Sequence, residues 1–162
     1  MYIKRLPLGD VEANCYIICD EETKVGAVLD VGGFSDVLLN EIKEAGIEEL
    51  KYILCTHGHF DHIAGVKKFK ELYPNAKIVI GEQDAILTED SQKNVADYFG
   101  ASFESFKPDM LVKENDQLEI GNKKLRVLET PGHSLGGVCY ICDEEKIVFS
   151  GDTLFKLTVG RW

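Results

Sequence analysis

Thr-His-Gly-His-Phe-Asp-His, at residues 56–62, is the stretch that most constrains the structure and chemistry of this chain. It holds three of the four histidines, together with an aspartate. Imidazole and carboxylate groups are the usual protein ligands of zinc and other first-row divalent ions. Protonated imidazoles packed this closely would repel one another, so the cluster is best explained by a bound cation. The stretch therefore predicts a metal-dependent enzyme.

Composition bounds the class of protein. The 162 residues are 44% hydrophobic and 28% charged, which is typical of one globular domain, here residues 1–162. No apolar run is long enough to cross a membrane, and none follows the basic pair Lys4-Arg5, so we expect a cytoplasmic protein without a signal peptide. The formal net charge of −10, with scattered lysines, disfavours binding to nucleic acid.

The five cysteines point to a reducing compartment, because their number is odd and their spacing is not that of a disulfide scaffold. Cys139 and Cys142 form a Cys-x-x-Cys pair, which raises the alternatives of a redox or metal site. The pair lies in an apolar, strand-like run, where residues three apart face opposite sides of a sheet. We therefore expect these to be buried strand cysteines.

A weak internal repeat suggests a domain built from two similar halves. Residues 15–30 and 139–152 each read as an apolar strand, an acidic turn and a second apolar strand that leads to an aspartate. Those aspartates are Asp30 and Asp152. Chance similarity between two hairpins is the alternative interpretation.

Helix and strand patterns alternate between the two hairpins. The expected elements are a helix capped by Ser35 and ending at Gly46, a strand at 51–55, a helix at 63–73, a strand at 77–80, a helical surface segment at 82–105 and a hairpin at 118–129. This order predicts α/β architecture. The histidine cluster then follows the end of one strand, where ligand-binding loops gather in such folds.

Two further turns complete a candidate metal site. The expected ligands are His57, His59, Asp61, His62, His133 and Asp152. His57 and His59 are two residues apart, so on an extended segment they point the same way and can reach one ion. Asp152 could bridge two ions, and a two-metal site activates water and polarises a carbonyl. His133 or Asp152 alone would be an ordinary turn residue; the cluster is what gives them meaning.

Three motifs resemble the ordered motifs of the metallo-β-lactamase superfamily, with the closest match to its glyoxalase II-like hydrolase branch. They are residues 56–62, residues 130–133 (Thr-Pro-Gly-His) and residues 150–155 (Ser-Gly-Asp-Thr-Leu-Phe). The resemblance covers nearly the whole chain and implies an αββα sandwich with a metal site at one edge of its two sheets. The resemblance also implies ligand sets for two ions. His57, His59 and His133 would hold the first, and Asp61 and His62 the second, with Asp152 as the bridge.

The resemblance also implies a reaction. A glyoxalase II-like enzyme would hydrolyse a small-molecule thioester with a metal-activated water that Asp61 orients. The expected cofactor is zinc, as one or two ions, with iron or manganese as alternatives. Arg161 lies nine residues after Asp152, where that branch has a basic residue for anionic substrate groups, although a surface arginine would look the same. His59 stands where the flavodiiron branch has glutamate, so that branch is disfavoured.

One departure from the family pattern concerns a further histidine ligand on a late strand. No histidine follows His133, and we expect the chain to be C-terminally incomplete. The second ion would then keep Asp61, His62 and Asp152. The second sheet would carry an open edge, through which we expect self-association as a homo-oligomer.

Two alternatives to the hydrolase remain open at this point. A mononuclear iron persulfide dioxygenase of the same superfamily uses the first-metal histidines and the bridging aspartate, all of which have counterparts here. A non-catalytic fragment of such a hydrolase would also explain the missing ligand. A β-lactamase is disfavoured because those enzymes are usually secreted.

Overall fold

The computed structural model describes residues 1–161 and consists of two main sheets with short helices. The first sheet contains β1 (Tyr2–Leu8), β2 (Ala13–Cys19), β3 (Val25–Leu29), β4 (Glu49–Leu54), β5 (Lys77–Gly81) and β6 (Met110–Val112). The second contains β7 (Gln117–Ile120), β8 (Lys123–Glu129), β9 (Val138–Cys142) and β10 (Ile147–Phe149), and a small hairpin pairs β11 (Leu154–Phe155) with β12 (Thr158–Val159). The helices are α1 (Asp36–Glu44), α2 (Phe60–Ile63), α3 (Val66–Leu72), a 3₁₀ helix (Glu82–Thr88) and α4 (Ala96–Phe99).

The topology of the first sheet brings several loops to one edge. Strands β1, β2 and β3 form an antiparallel meander, whereas β3, β4, β5 and β6 run parallel to one another. Parallel strands all end at the same edge, so the loops after β3, β4 and β5 meet there. The second sheet is antiparallel throughout, in the order β10, β9, β8, β7.

Apolar side chains fill two layers. One cluster lies between the two sheets and includes Leu29 and Leu54 from the first sheet and Val127 and Tyr140 from the second. The other lies between the first sheet and helices α1 and α3. The outer face of the second sheet keeps Leu128 and Ile141 half-buried. Stacked sheets with helices on the first sheet are the layers expected of a metallo-β-lactamase-type fold.

Several local predictions are confirmed. Helix α1 begins after Ser35, whose Oγ accepts a hydrogen bond from the N–H of Val37 at 3.1 Å. It ends beside Gly46, whose φ of +69° lies in the left-handed region that glycine tolerates. The two hairpins of the predicted repeat form as β2–β3 and β9–β10, one in each sheet, and the hairpin predicted at 118–129 forms as β7–β8. All five cysteines are buried and free, so Cys139 and Cys142 are strand cysteines.

Two predicted helices differ from the structure. The helix expected at 63–73 is divided into α2 and α3, because Gly65 packs against the backbone of Gly33 without room for a side chain. The helical surface segment expected at 82–105, with a break at Gly100, is confirmed only in part, since α4 does end at Gly100. It forms only the 3₁₀ helix and α4, and its Asp84 and Asn94 are fully buried and hydrogen-bonded to neighbouring backbone.

Strand β10 is one of the two outer strands of the second sheet within residues 1–161, and its Val148 is 54% exposed. Self-association through this edge stays a prediction. Among the described residues, no helix combines the length and apolarity needed to span a bilayer.

Candidate metal centre

Three loops and the short helix α2 bring the predicted ligands together at one edge of the sandwich. The segment after β4 carries His57 and His59, and α2 follows at once with Asp61 and His62. The loop between β8 and β9 carries His133, and the turn after β10 carries Asp152. All six predicted ligands therefore lie at a single site, although they are spread over almost a hundred residues of sequence.

Three histidines form the first candidate position. His57, His59 and His133 each offer one ligand atom, and these atoms lie within 4.8 Å of one another. His59 Nδ1 lies 3.0 Å from His133 Nε2. The ring centroid of His57 is 4.8 Å from that of His59 and 4.9 Å from that of His133. Three imidazoles that converge in this way match the ligand set of a mononuclear zinc or iron site.

A second candidate position adjoins the first. His57, His62 and Asp152 also offer ligand atoms within 4.8 Å of one another. His62 Nε2 lies 3.2 Å from Asp152 Oδ1 and 3.6 Å from Asp61 Oδ2. The other oxygen of Asp152, Oδ2, lies 3.5 Å from His133 Nε2. Asp152 therefore stands between the two positions, where a carboxylate can serve both.

The chemistry of these groups fits a cation. His57 Nε2 is buried and has no hydrogen-bond partner within residues 1–161, which costs free energy unless another group satisfies it. Burial lowers the pKa of His57 well below its usual value, and burial and His133 lower the pKa of His59. Both rings are therefore neutral near pH 7, which is the form that binds metal.

Electrostatics at the second position also favour positive charge. Burial lowers the pKa of His62, but Asp30, Asp152 and Asp61 outweigh it and raise this pKa to about 10. Burial raises the pKa of Asp152, but the hydrogen bond from His62 outweighs it, so the net shift is downward. Carboxylates thus surround the His62 ring, which holds its proton strongly. A divalent cation would experience the same attraction.

Asp30 is a site residue that sequence reasoning did not single out for this role. Its carboxylate is buried, and it accepts hydrogen bonds from the N–H and the Oγ1 of Thr56, both at 2.8 Å. Its Oδ2 also lies 3.0 Å from His62 Nδ1. The other ring nitrogen of His62, Nε2, faces Asp61 and Asp152. The sequence feature that could have identified Asp30 is its position directly after β3, at the same sheet edge as the histidine loop.

Arg161 reaches the centre through its backbone. Its carbonyl oxygen accepts a hydrogen bond from His133 Nδ1 at 2.8 Å, which leaves Nε2 of that ring facing the other ligands. The Arg161 side chain is exposed. Its role in substrate binding stays a prediction.

Space for a small molecule adjoins the second position. A cavity of about 430 Å³ has Asp61, His62 and Asp152 in its wall, together with apolar side chains and Lys156. A neighbouring cavity of about 270 Å³ also contacts Asp61. Asp61 is therefore the candidate ligand that both cavities share.

The sequence matches the family profile of the metallo-β-lactamase superfamily over residues 8–162. The chain belongs to this superfamily. Hydroxyacylglutathione hydrolase GloC of Haemophilus influenzae is 31% identical over 162 residues, which cover 99% of this chain and 76% of that protein. The coarse prediction of a metallo-β-lactamase superfamily member with glyoxalase II-like relatives is confirmed.

Two solved structures are similar over nearly the whole chain. The BLEG-1 B3 metallo-β-lactamase superposes with a TM-score of 0.89 at 31% identity, covering 99% of this chain and 76% of that one. TTHA1623, solved in a di-iron-bound form, superposes with a TM-score of 0.83 at 29% identity, covering 98% and 76%. Together these neighbours confirm the α/β fold of the metallo-β-lactamase type.

Proposed function

We propose that this protein is a metal-dependent hydrolase of small-molecule thioesters. The observation that carries the proposal is the pair of adjoining ligand groups, which share His57 and have Asp152 between them. Similarity to a hydroxyacylglutathione hydrolase supports a thioester as the substrate class. The five free cysteines support a reducing, cytoplasmic setting, and the net charge of −10 favours a small molecule over nucleic acid as the substrate.

The ligand assignment follows the two groups and adds Asp61, whose Oδ2 lies 3.6 Å from His62 Nε2. His57, His59 and His133 would hold the first ion, Asp61 and His62 the second, and Asp152 would lie between them. We assign zinc to the site, with iron and manganese as alternatives, because imidazole and carboxylate ligands suit all three. Bound at this site, such ions supply Lewis-acid activation of water and of the thioester carbonyl.

The chain's own groups orient the reactants. Asp61 faces both cavities with a half-buried carboxylate, so it can accept a hydrogen bond from the attacking water and align it with the carbonyl. The acyl group would occupy the cavity of about 430 Å³. Lys156 in the cavity wall would attract an anionic thiol carrier, and we propose the same role for the exposed side chain of Arg161.

Metal content and two variants test the function. Protein purified without added metal or chelator should contain about one or two equivalents of zinc per chain by elemental analysis. It should hydrolyse a hydroxyacylglutathione with release of the free thiol. His59→Ala and Asp61→Ala should each lower the rate by at least about 100-fold and leave the circular dichroism spectrum unchanged.

Asp10→Ala is the matched control, because Asp10 lines the neighbouring cavity beside Asp61 but is not one of the six candidate ligands. Its rate should stay within about threefold of the unmodified protein. Undiminished rates in His59→Ala or Asp61→Ala would contradict the assignment. About one equivalent of iron, with oxygen uptake on a thiol persulfide, would favour the dioxygenase. Protein without metal would favour the non-catalytic fragment.

A further inference from the structure

A buried carboxylate outside the ligand groups connects the two loops that carry the first-position histidines. Asp84 lies in the 3₁₀ helix after β5, and its side chain is 0% exposed. Its Oδ2 accepts a hydrogen bond from the N–H of Gly58 at 2.8 Å, and its Oδ1 accepts one from the N–H of Gly136 at 2.7 Å. Hydrogen bonds from backbone amides to an ionised carboxylate are shorter and stronger than neutral ones.

The two glycines that donate these hydrogen bonds lie close in sequence to the first-position histidines. Gly58 lies between His57 and His59, and Gly136 lies three residues after His133. One carboxylate therefore holds the segment with two of the three histidines and the loop with the third. The distance between these loops sets whether the three rings can reach one ion.

Close packing leaves these loops little freedom around Asp84. A Cβ on Gly136 would overlap the backbone nitrogen of Asp84, and a Cβ on Gly81 would overlap the carbonyl oxygen of Gly136. A Cβ on Gly58 would overlap the side chain of Leu87, also in the 3₁₀ helix. Both loops thus rest directly on the 3₁₀ helix, with Asp84 as their shared polar contact.

We propose that Asp84 is a positioning residue for the three-histidine position. It touches no ion, but its two hydrogen bonds set the spacing between His133 and the pair His57 and His59. The inference rests on the proposed metal binding by these histidines. It assigns Asp84 a different task from Asp30, whose carboxylate contacts His62 and Thr56.

Asp84→Asn is the sharpest variant, because it keeps the shape of the side chain but turns one acceptor into a donor. An amide NH₂ would then face a backbone N–H, and one of the two loops would move away. We expect the affinity for Zn²⁺ to fall by about 10- to 100-fold, the range typical of lost outer-shell support. Competition of the protein with a chromophoric chelator for Zn²⁺ alone measures this.

Asp20→Asn is the matched control. Asp20 is also buried and accepts hydrogen bonds from backbone N–H groups, among them that of Asn122 at 2.8 Å, but it lies outside both ligand groups. Urea unfolding of the metal-free proteins measures the structural cost of each substitution. Asp20→Asn should lower stability and leave Zn²⁺ affinity within about twofold of the unmodified protein, because its contacts do not reach the histidine loops.

Asp84→Glu is the second variant, which keeps the charge and both acceptors but moves them by about 1.5 Å, one carbon–carbon bond. Its Zn²⁺ affinity should lie between those of the unmodified protein and Asp84→Asn. Unchanged affinity in either Asp84 variant would overturn the inference, as would an equal loss in Asp20→Asn. Unmodified protein that binds no Zn²⁺ would overturn the proposed function and this inference with it, whereas the other outcomes leave the proposed function standing.

Discussion

At the scale of single residues, the centre depends on carboxylates that orient histidines. Asp30 is held in the left-handed region at φ +56°, and its N–H donates to the carbonyl of Leu54 at 2.9 Å. Its oxygens contact both Thr56, beside the first ligand, and His62 Nδ1. A buried residue with this backbone conformation is maintained only where its surroundings require it. Here the requirement is the direction of the His62 ring.

Asp30→Asn should weaken the second metal position. Asp30→Asn removes the negative charge that lies 3.0 Å from His62 Nδ1, so the pKa of His62 in the metal-free protein should fall below its value of about 10. We expect Zn²⁺ affinity at this position to fall by about 10- to 100-fold. Titration with Zn²⁺ and a pH titration of His62 followed by nitrogen NMR in the metal-free protein measure the two effects.

The NMR result separates this explanation from general loosening of the site. The unmodified metal-free protein and Thr56→Ser, which keeps the hydroxyl that donates to Asp30, should behave alike. Asp30→Asn with an unaltered His62 pKa and unaltered Zn²⁺ affinity would show that Asp30 does not support the ring.

At the scale of elements, α2 is too short to define its own position, so neighbouring loops hold it. The N–H of Phe60, at its start, donates to the carbonyl of Asn94 at 3.0 Å, and the N–H of Gly65, just beyond its end, donates to the carbonyl of Val31 at 2.9 Å. Gly32 lies directly against the backbone of Asp61. The loop after β3 thus positions the helix that carries Asp61 and His62.

Gly32→Ala should displace α2, because a Cβ at this position would overlap the carbonyl oxygen of Asp61. We expect a loss of about 1–3 kcal/mol of unfolding free energy from overpacking, together with weaker Zn²⁺ binding. Urea unfolding of the metal-free protein and Zn²⁺ competition measure these effects.

Gly46→Ala is the control for this substitution. Gly46 has a φ of +69°, but a Cβ there would meet nothing within 4 Å, so only backbone strain results. That variant should lose stability and retain the Zn²⁺ affinity of the unmodified protein. Retained Zn²⁺ affinity in Gly32→Ala would mean that α2 tolerates the displacement.

At the scale of the whole molecule, the two sheets are also joined at the edge opposite the metal centre. Asp20, in the turn between β2 and β3, accepts hydrogen bonds from the N–H of Asn122 and the Oγ1 of Thr23, both at 2.8 Å. Asn122 lies in the turn between β7 and β8. The hydrogen bond from Asn122, together with those from Thr23 and Glu22, lowers the pKa of Asp20.

The contribution of Asp20 to stability should depend on pH. A carboxyl whose pKa is lower in the folded state than its usual 3.8 stabilises the fold above that value and loses the effect as pH falls through the lower folded value. Asp20→Asn should therefore be less stable than the unmodified protein at pH 7, and the difference should shrink below about pH 3.8. Urea unfolding of both metal-free proteins between pH 7 and pH 3 measures it; a constant difference would contradict this origin.

Part of the fold and of the candidate site could be predicted from the sequence. Periodicity and capping predicted α1 and both hairpins correctly, because each depends on contacts between residues close in sequence. The segment 82–105 was predicted as a surface helix, although the buried carboxylate of Asp84 accepts hydrogen bonds from the distant backbone of Gly58 and Gly136. The side-chain amide of Asn94 is also buried, and it donates to the carbonyl of Leu87. Buried polar side chains of this kind override helical propensity, and no local pattern shows it.

Residue chemistry along the chain was enough to indicate a metal protein, to name six candidate ligands and to place the chain in its superfamily. The close spacing of His57, His59, Asp61 and His62 can be seen in the sequence without knowledge of the fold. Long-range contacts settled the rest: which loops meet, how Asp152 lies between two ligand groups, and which buried aspartates support them. The roles of Asp30 and Asp84 depend on partners 26 or more residues away in the sequence. Only the packing of the two sheets brings such partners within hydrogen-bonding distance.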